Sequence, residues 1–224
     1  MTSPATRHGH NAPGLFITLE GGDGVGKTTQ AQRLEEWFVR RGRSVVRTRE
    51  PGGTDAGVGI REIVLHHRGE IASRAEALLY AADRAQHIAK VVRPALHRGD
   101  VVIQDRYIDS SIAYQGAGRV LSPDEIRRLS EWATEGLWPD LTILLDLEEQ
   151  DARVRLDAVR DRFDRLEAEE SDFHRRVRSS FLRLAHDAPE RFLVVDASAS
   201  PNDITETIVE TLLHRLGGTL NVPV

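Results

Sequence analysis

The strongest constraint in this chain is the run Gly21-Gly22-Asp23-Gly24-Val25-Gly26-Lys27-Thr28, followed by Thr29. It lies between the apolar stretch Leu15-Phe16-Ile17-Thr18-Leu19 and an amphipathic segment from Gln30 to Arg41. The spacing G-x-x-x-x-G-K-[ST] between a strand and a helix predicts a loop whose glycines take positive φ. Successive backbone N–H groups then turn toward a phosphate at the helix N-terminus. In that geometry Lys27 reaches the β- and γ-phosphates and the Thr28 hydroxyl ligates Mg²⁺. An ordinary glycine-rich turn would need neither side chain. The chain has two lysines, Lys27 and Lys90, among 30 basic residues, so a lysine at this position points to a compact ammonium rather than a planar fork.

Composition narrows the class. A length of 224 residues with 40% hydrophobic content suits one domain, with room for a small insertion. The absence of cysteine fits a reducing compartment. No apolar run approaches the roughly 18 residues of a membrane span, and residues 1–13 are polar, without the apolar core of a secretory signal. A soluble cytoplasmic protein with a disordered N-terminal tail over 1–13 is expected. A net charge of −5 offers nucleic acid no general attraction, so phosphate chemistry must rest on locally placed arginines.

Along the chain, Gly42 supplies a helix stop, and Ser44 to Thr48 reads as a second strand ending in Arg49-Glu50-Pro51-Gly52-Gly53-Thr54. Strand, helix, strand predicts a parallel βαβ unit, whose ligand-binding edge is the carboxyl end of the strands. Helical periodicity covers 57–68 and 73–98, and Val101-Val102-Ile103 is a third strand of the kind buried on both faces. It runs into Asp105 and Arg106, an acid placed to hold Mg²⁺ or its waters and a cation placed to grip a transferring phosphate. Residues 108–116 mix hydroxyls, an aromatic and an amide, as a base- and sugar-binding wall would. A helix follows over 123–136 with Ser122 as N-cap, then a fourth strand over 141–147. Residues 150–170 carry Arg153, Arg155, Arg160, Arg162 and Arg165 among acids, either a solvated charged helix or an arginine-bearing lid. A helix over 172–187, a strand over 192–196 and a closing helix from Ile204 to Arg215 complete a domain over 14–216, with a loose tail from 217 to 224.

Four motifs in this order resemble the thymidylate kinases, in their bacterial form. They are Glu20 to Thr29, Thr48 to Thr54, Leu79-Tyr80-Ala81-Ala82-Asp83-Arg84, and Asp105-Arg106-Tyr107 through Ala113-Tyr114-Gln115-Gly116. The resemblance implies a P-loop-type, doubly wound α/β fold with a five-stranded parallel sheet in the order 2-3-1-4-5, helices on both faces and an arginine-rich lid. It implies ATP and dTMP as substrates, Mg²⁺ as cofactor and a homodimer. ATP falls to Gly21, Gly22, Asp23, Gly24, Val25, Gly26, Lys27, Thr28 and Thr29, and the metal to Thr28 and Asp105. By the same resemblance Tyr80 stacks on thymine, Arg84 hydrogen-bonds the base, Ser111 and Gln115 face the base edge, and Tyr114 lies against C2′ of the sugar. Arg61 and Arg106 hold the monophosphate, Glu50 is the loop acid near the acceptor, and Asp23 orders metal-bound water or the sugar. The spacing of Tyr80 and Arg84 puts both on one helical face.

Gly24 departs from eukaryotic members, which place an arginine there. The bacterial pattern moves that charge into the lid, so Arg155, Arg160 or Arg162 is expected to join Lys27 and Arg106 in a cationic clamp for in-line transfer. The lid lacks the usual glycine, and its arginines align only with a one-residue shift. Other nucleoside or nucleoside-monophosphate kinases, and a nucleotide-driven switch protein, are the alternatives.

Overall fold

The computed structural model describes residues 10–119, 121–158 and 164–220. Among these, β1 (Leu15–Glu20), β2 (Val45–Arg49), β3 (Val101–Asp105), β4 (Leu141–Asp146) and β5 (Phe192–Asp196) form one sheet in the order 2-3-1-4-5. Every neighbouring pair is parallel, as the βαβ pattern requires. The central strands read as unbroken apolar runs because both of their faces are covered. Alternate side chains feed two cores, Phe16, Val102 and Leu144 into one and Ile17, Ile103 and Ile143 into the other. A single hydroxyl pair bridges β1 and β4 inside the sheet, Thr18 to Thr142 at 3.0 Å.

The helices in chain order are α1 (Lys27–Val39), α2 (Asp55–His66), α3 (Ser73–His87), α4 (Arg93–Arg98), α5 (Ile108–Ser111), α6 (Pro123–Thr134), α7 (Glu149–Asp157), α8 (Ser171–Asp187) and α9 (Pro201–Leu220). Leu34 and Phe38 of α1 and Ile204, Ile208 and Leu212 of α9 close one core. Residues of α3, α5 and α8, including Tyr80, Ile108 and Phe181, close the other.

Four local differences from the sequence reading have physical causes. The helix expected over 73–98 contains a π-helical turn at Ile88–Val92, just before Pro94, which has no N–H and whose ring crowds the carbonyl of Lys90. Ser122 stands at the N-cap of α6, but its hydroxyl makes no capping bond, and Pro123 at the first helical position removes one of the donors a cap would serve. The helix α9 extends beyond Arg215 to Leu220, so Gly217–Leu220 are helical rather than a loose tail. His10, read as part of the disordered tail, is almost buried, with its Nε2 3.2 Å from Asp140, the carboxylate that also accepts the Phe16 N–H at 2.8 Å.

Candidate active site

The carboxyl ends of β1, β2 and β3 meet at one edge of the sheet, where a cleft of about 450 Å³ opens. The loop from Gly21 to Gly26 leaves β1 there, with Gly24 at φ 77° and Gly26 at φ 98° as the N-cap of α1. Lys27 is buried, and its ammonium donates to the carbonyls of Gly21 (3.2 Å) and Gly22. Burial lowers its pKa, and the nearby Arg106 charge adds to that effect. Asp23, Gly24, Gly26, Lys27 and Thr28 line the cleft, while Val25 turns into the core and Thr29 is exposed on the first turn of α1. A Cβ on Gly24 would sit 2.6 Å from the Ala152 carbonyl oxygen and 3.5 Å from the Leu156 Cβ. The helix α7 therefore occupies the space an arginine at this position would need.

Arg106 directly follows β3 with φ 68°, a left-handed backbone rare for a non-glycine residue and common at functional sites. Its N–H bonds the Leu19 carbonyl at 3.0 Å. The guanidinium donates to Asp23 Oδ1 at 2.5 Å, to the Gly21 carbonyl at 3.1 Å and to Ser110 Oγ at 3.2 Å, and lies 4.9 Å over the Tyr114 ring. Tyr114 in turn donates to Asp23 Oδ2 at 3.0 Å. Burial alone would raise the Asp23 carboxyl, but Arg106 and Lys27 outweigh it and hold it well below the usual range. Beneath this group, Glu20 is fully buried and accepts from the Tyr107 N–H (2.8 Å) and the Ser110 hydroxyl (2.5 Å). Burial first, and the charge of Asp109 second, push Glu20 up to about 7. Asp109 is clamped by both Nη atoms of Arg191, at 2.6 and 2.9 Å.

The helix α3 supplies the opposite wall. Glu76, Tyr80, Asp83, Arg84 and His87 are all buried and share one helical face. Arg84 donates to Glu50 Oε2 (2.8 Å), Ser130 Oγ (3.2 Å), the Tyr107 carbonyl (3.0 Å) and Ser111 Oγ (3.1 Å). That engages four of the five N–H groups of a guanidinium, leaving one on Nη1 without a partner among the described residues. His87 bridges Glu50 Oε1 (2.9 Å) and the Thr48 hydroxyl (2.7 Å), so the loop after β2 is tied to α3 twice. Asp83 adds a third tie by accepting the Gly52 N–H at 3.0 Å, and burial raises its carboxyl pKa. Gln115 lies in a second π-helical stretch, Ile112–Gly118, and donates to Glu76 Oε1 at 2.9 Å. Arg61 donates to the Pro51 carbonyl at 3.0 Å, and its pKa is lowered by burial and then by Arg49.

Of the residues singled out from sequence, Asp23, Gly24, Gly26, Lys27, Thr28, Glu50, Arg61, Tyr80, Arg84, Asp105, Arg106, Ser111, Tyr114, Gln115 and Arg155 line this one cleft. Arg155 donates to the Ala197 carbonyl at 2.9 Å. Arg160 and Arg162 lie outside the described residues. The sequence reading gave no role to Glu20, Arg49, Glu76, His87 or Ser110. For Glu76 and His87 a signal existed: they fall at helical spacing from Tyr80 and Arg84, on a face that must be buried. Arg165, one of the arginines in the stretch read as either a solvated charged helix or a lid, reaches Glu76 and the Val64 carbonyl (2.9 Å).

Comparison with known proteins identifies the family. The family described as "Thymidylate kinase" matches residues 19–208. The thymidylate kinase of Leifsonia xyli subsp. xyli (strain CTCB07) is 70% identical over 198 residues, 88% of this chain and 94% of the relative. That of Clavibacter sepedonicus is 66% identical, covering 91% of this chain and 96% of its own. That of Bifidobacterium longum subsp. infantis (strain ATCC 15697 / DSM 20088 / JCM 1222 / NCTC 11817 / S12) is 53% identical, with 90% and 88% covered. The chain belongs to the thymidylate kinase family.

Proposed function

We propose that this thymidylate kinase moves the γ-phosphoryl group of ATP in line onto a phosphate oxygen of dTMP. The bond from the γ-phosphorus to its bridging oxygen breaks as the new bond forms, giving ADP and dTDP. The observation that carries this is one cleft lined both by a phosphate loop with Lys27 and Arg106 and by Tyr80, Arg84 and Gln115 of a base-sized pocket. The acceptor is already an anionic oxygen, so the reaction needs positioning, charge neutralisation and exclusion of water more than a strong general base.

On this reading Lys27 leaves the Gly21 and Gly22 carbonyls for the donor phosphates, where a charged acceptor makes a stronger hydrogen bond than a neutral one. Arg106 and Arg61 hold the dTMP phosphate, Tyr80 stacks on the base, and the unpartnered N–H of Arg84 meets a base oxygen. Glu50 serves by fixing Arg84. Tyr114, anchored to Asp23, lies against C2′ and disfavours ribonucleotides, and one lid arginine completes the clamp. Asp105 Oδ1 is buried without a hydrogen-bond partner among the described residues, and Thr28 lines the same cleft, a donor set of hard oxygens that fits Mg²⁺ together with phosphate oxygens and waters. Bound there, the ion would neutralise charge on the donor phosphates.

The test is coupled ADP release across all nucleoside monophosphates. dTMP should give by far the highest kcat/KM, with slow ATP hydrolysis in its absence. Equal use of several monophosphates, or fast hydrolysis indifferent to dTMP, would overturn the reading. A homodimer is supported by Trp132 (79% exposed) and Leu78 (57% exposed) on the packed helices α6 and α3, apolar surface of the sort that a second copy covers. Sedimentation velocity measures it. The cysteine-free sequence is what supports a cytoplasmic location, and no helix among the described residues is long and apolar enough to cross a membrane.

A further inference from the structure

We infer that Glu76 sets the enzyme's choice between thymine and cytosine by fixing which way the amide of Gln115 points. Glu76 is fully buried. Its Oε1 accepts from Gln115 Nε2 at 2.9 Å and from Arg119 Nε at 3.4 Å. Its Oε2 meets Arg165 Nη2 and, at 3.4 Å, Arg119 Nη2. Both arginines are themselves held, Arg165 by the Val64 carbonyl at 2.9 Å and Arg119 by Glu169 at 2.5 Å. Two guanidinium groups against one buried carboxyl keep it an acceptor at both oxygens.

An amide side chain can present either its oxygen or its NH₂, and which one faces a partner is decided by its other hydrogen bonds. Here a carboxylate that can only accept forces Nε2 toward Glu76. The carbonyl Oε1 is thereby left as the group facing away, on a residue that lines the cleft beside Tyr80 and Arg84. Thymine carries a donor at N3, and cytosine an acceptor at N3 and a donor at its 4-amino group. A fixed amide oxygen pairs with the thymine N3–H and meets a lone pair in cytosine, whereas a freely turning amide would serve both. Glu76 therefore acts as a positioning residue that turns a two-sided reader into a one-sided one. The inference rests on the reading that Gln115 faces the base.

The test compares kcat/KM for dTMP and for dCMP in wild type, Glu76→Gln, Glu76→Asp and Gln115→Ala. In Glu76→Gln the new amide keeps its oxygen toward the arginines and offers NH₂ to Gln115, which turns over. The dTMP/dCMP ratio should then fall by at least about tenfold, the effect of reversing one hydrogen bond at a buried edge. A lowering of both substrates by the same factor, with the ratio unchanged, is what mere damage to the core would give and overturns the inference. Should Glu76→Gln not yield folded protein, Glu76→Asp carries the test. It keeps the charge for both arginines while withdrawing the carboxylate from the amide, so a ratio lowered several-fold supports the inference and an unchanged ratio overturns it. Gln115→Ala separates the two layers: a collapsed ratio there with an unchanged one in both Glu76 variants sinks the inference alone. An unchanged ratio in Gln115→Ala sinks it together with the base-facing role of Gln115.

Discussion

Replacing Glu20 by glutamine should make the protein's stability less sensitive to alkaline pH, because wild type carries the cost of a buried ionised carboxyl that the variant lacks. Glu20 lies under the end of β3 with Asp109 close by, and its pKa rises from 4.5 to about 7, chiefly through burial. A carboxyl raised on folding binds more proton in the native state than in the unfolded one, so stability is full below the unfolded pKa and declines as pH rises toward 7. At about 1.36 kcal/mol per pKa unit, the displacement corresponds to roughly 3 kcal/mol above pH 7, most of which is lost between pH 5 and pH 8. The glutamine also loses the acceptor for either the Tyr107 N–H or the Ser110 hydroxyl, a pH-independent cost of about 1 kcal/mol. Relative to wild type, the variant should therefore be equal or slightly weaker at pH 5 and about 2 kcal/mol stronger at pH 8. Urea denaturation of both proteins at four pH values, at one ionic strength and without nucleotide, measures the difference. Carboxyls common to the two cancel in the subtraction. A difference constant across pH to within about 0.5 kcal/mol would refute the argument, since the local charge cost would then be absent.

Lys27→Ala should lower kcat by at least about 100-fold while KM for dTMP stays within a few-fold if, as proposed, the ammonium serves the donor side of the cleft; coupled ADP release measures both. Among single alanine variants of Arg155, Arg160 and Arg162, one should lose on the order of 10³-fold in kcat. A triple variant within a few-fold of wild type would put the remaining charge on Arg106 and the metal alone. Tyr114→Ala should narrow the preference for dTMP over its ribonucleotide counterpart, and an unchanged ratio would mean that the sugar is read elsewhere.

The parallel strands and their ligand-binding edge were legible from local patterns, whereas the sheet order and the base-pocket residues came from the resemblance. Apolar runs ending in glycine- or arginine-bearing loops at regular intervals can be buried only as parallel strands with their functional ends together. What escaped was pairing across the chain. Nothing near Glu76 reveals that Arg119, 43 residues on, and Arg165, 89 residues on, converge on it. Nor does the sequence say that Glu50 is held by His87 and Arg84, since each bond joins an ordinary polar residue to another brought near by the sheet. The place of Arg165 was hidden for the same reason. Arg165 looks like its neighbours in composition, yet it is spent on a buried carboxylate and is therefore a poor candidate to meet a transferring phosphate.

The arrangement of charge in the cleft also explains why so many cations can stand close together in one place. Lys27, Arg61 and Arg155 each donate to backbone carbonyls, at Gly21 and Gly22, Pro51 and Ala197. Phosphate oxygens accept such bonds more strongly than neutral carbonyls do, so on the proposed reading these three exchanges would favour the substrate. Arg106 differs, because its partner Asp23 is itself an anion held low by that contact. A phosphate that takes Arg106 must either displace a carboxylate or share the guanidinium with it. Tyr114 donates to the far oxygen of Asp23 and Lys27 lies near enough to lower its pKa, so Asp23 keeps partners when Arg106 is shared. With its left-handed backbone, Arg106 donates to the loop carbonyl of Gly21 and to Asp23 and lines the cleft as well.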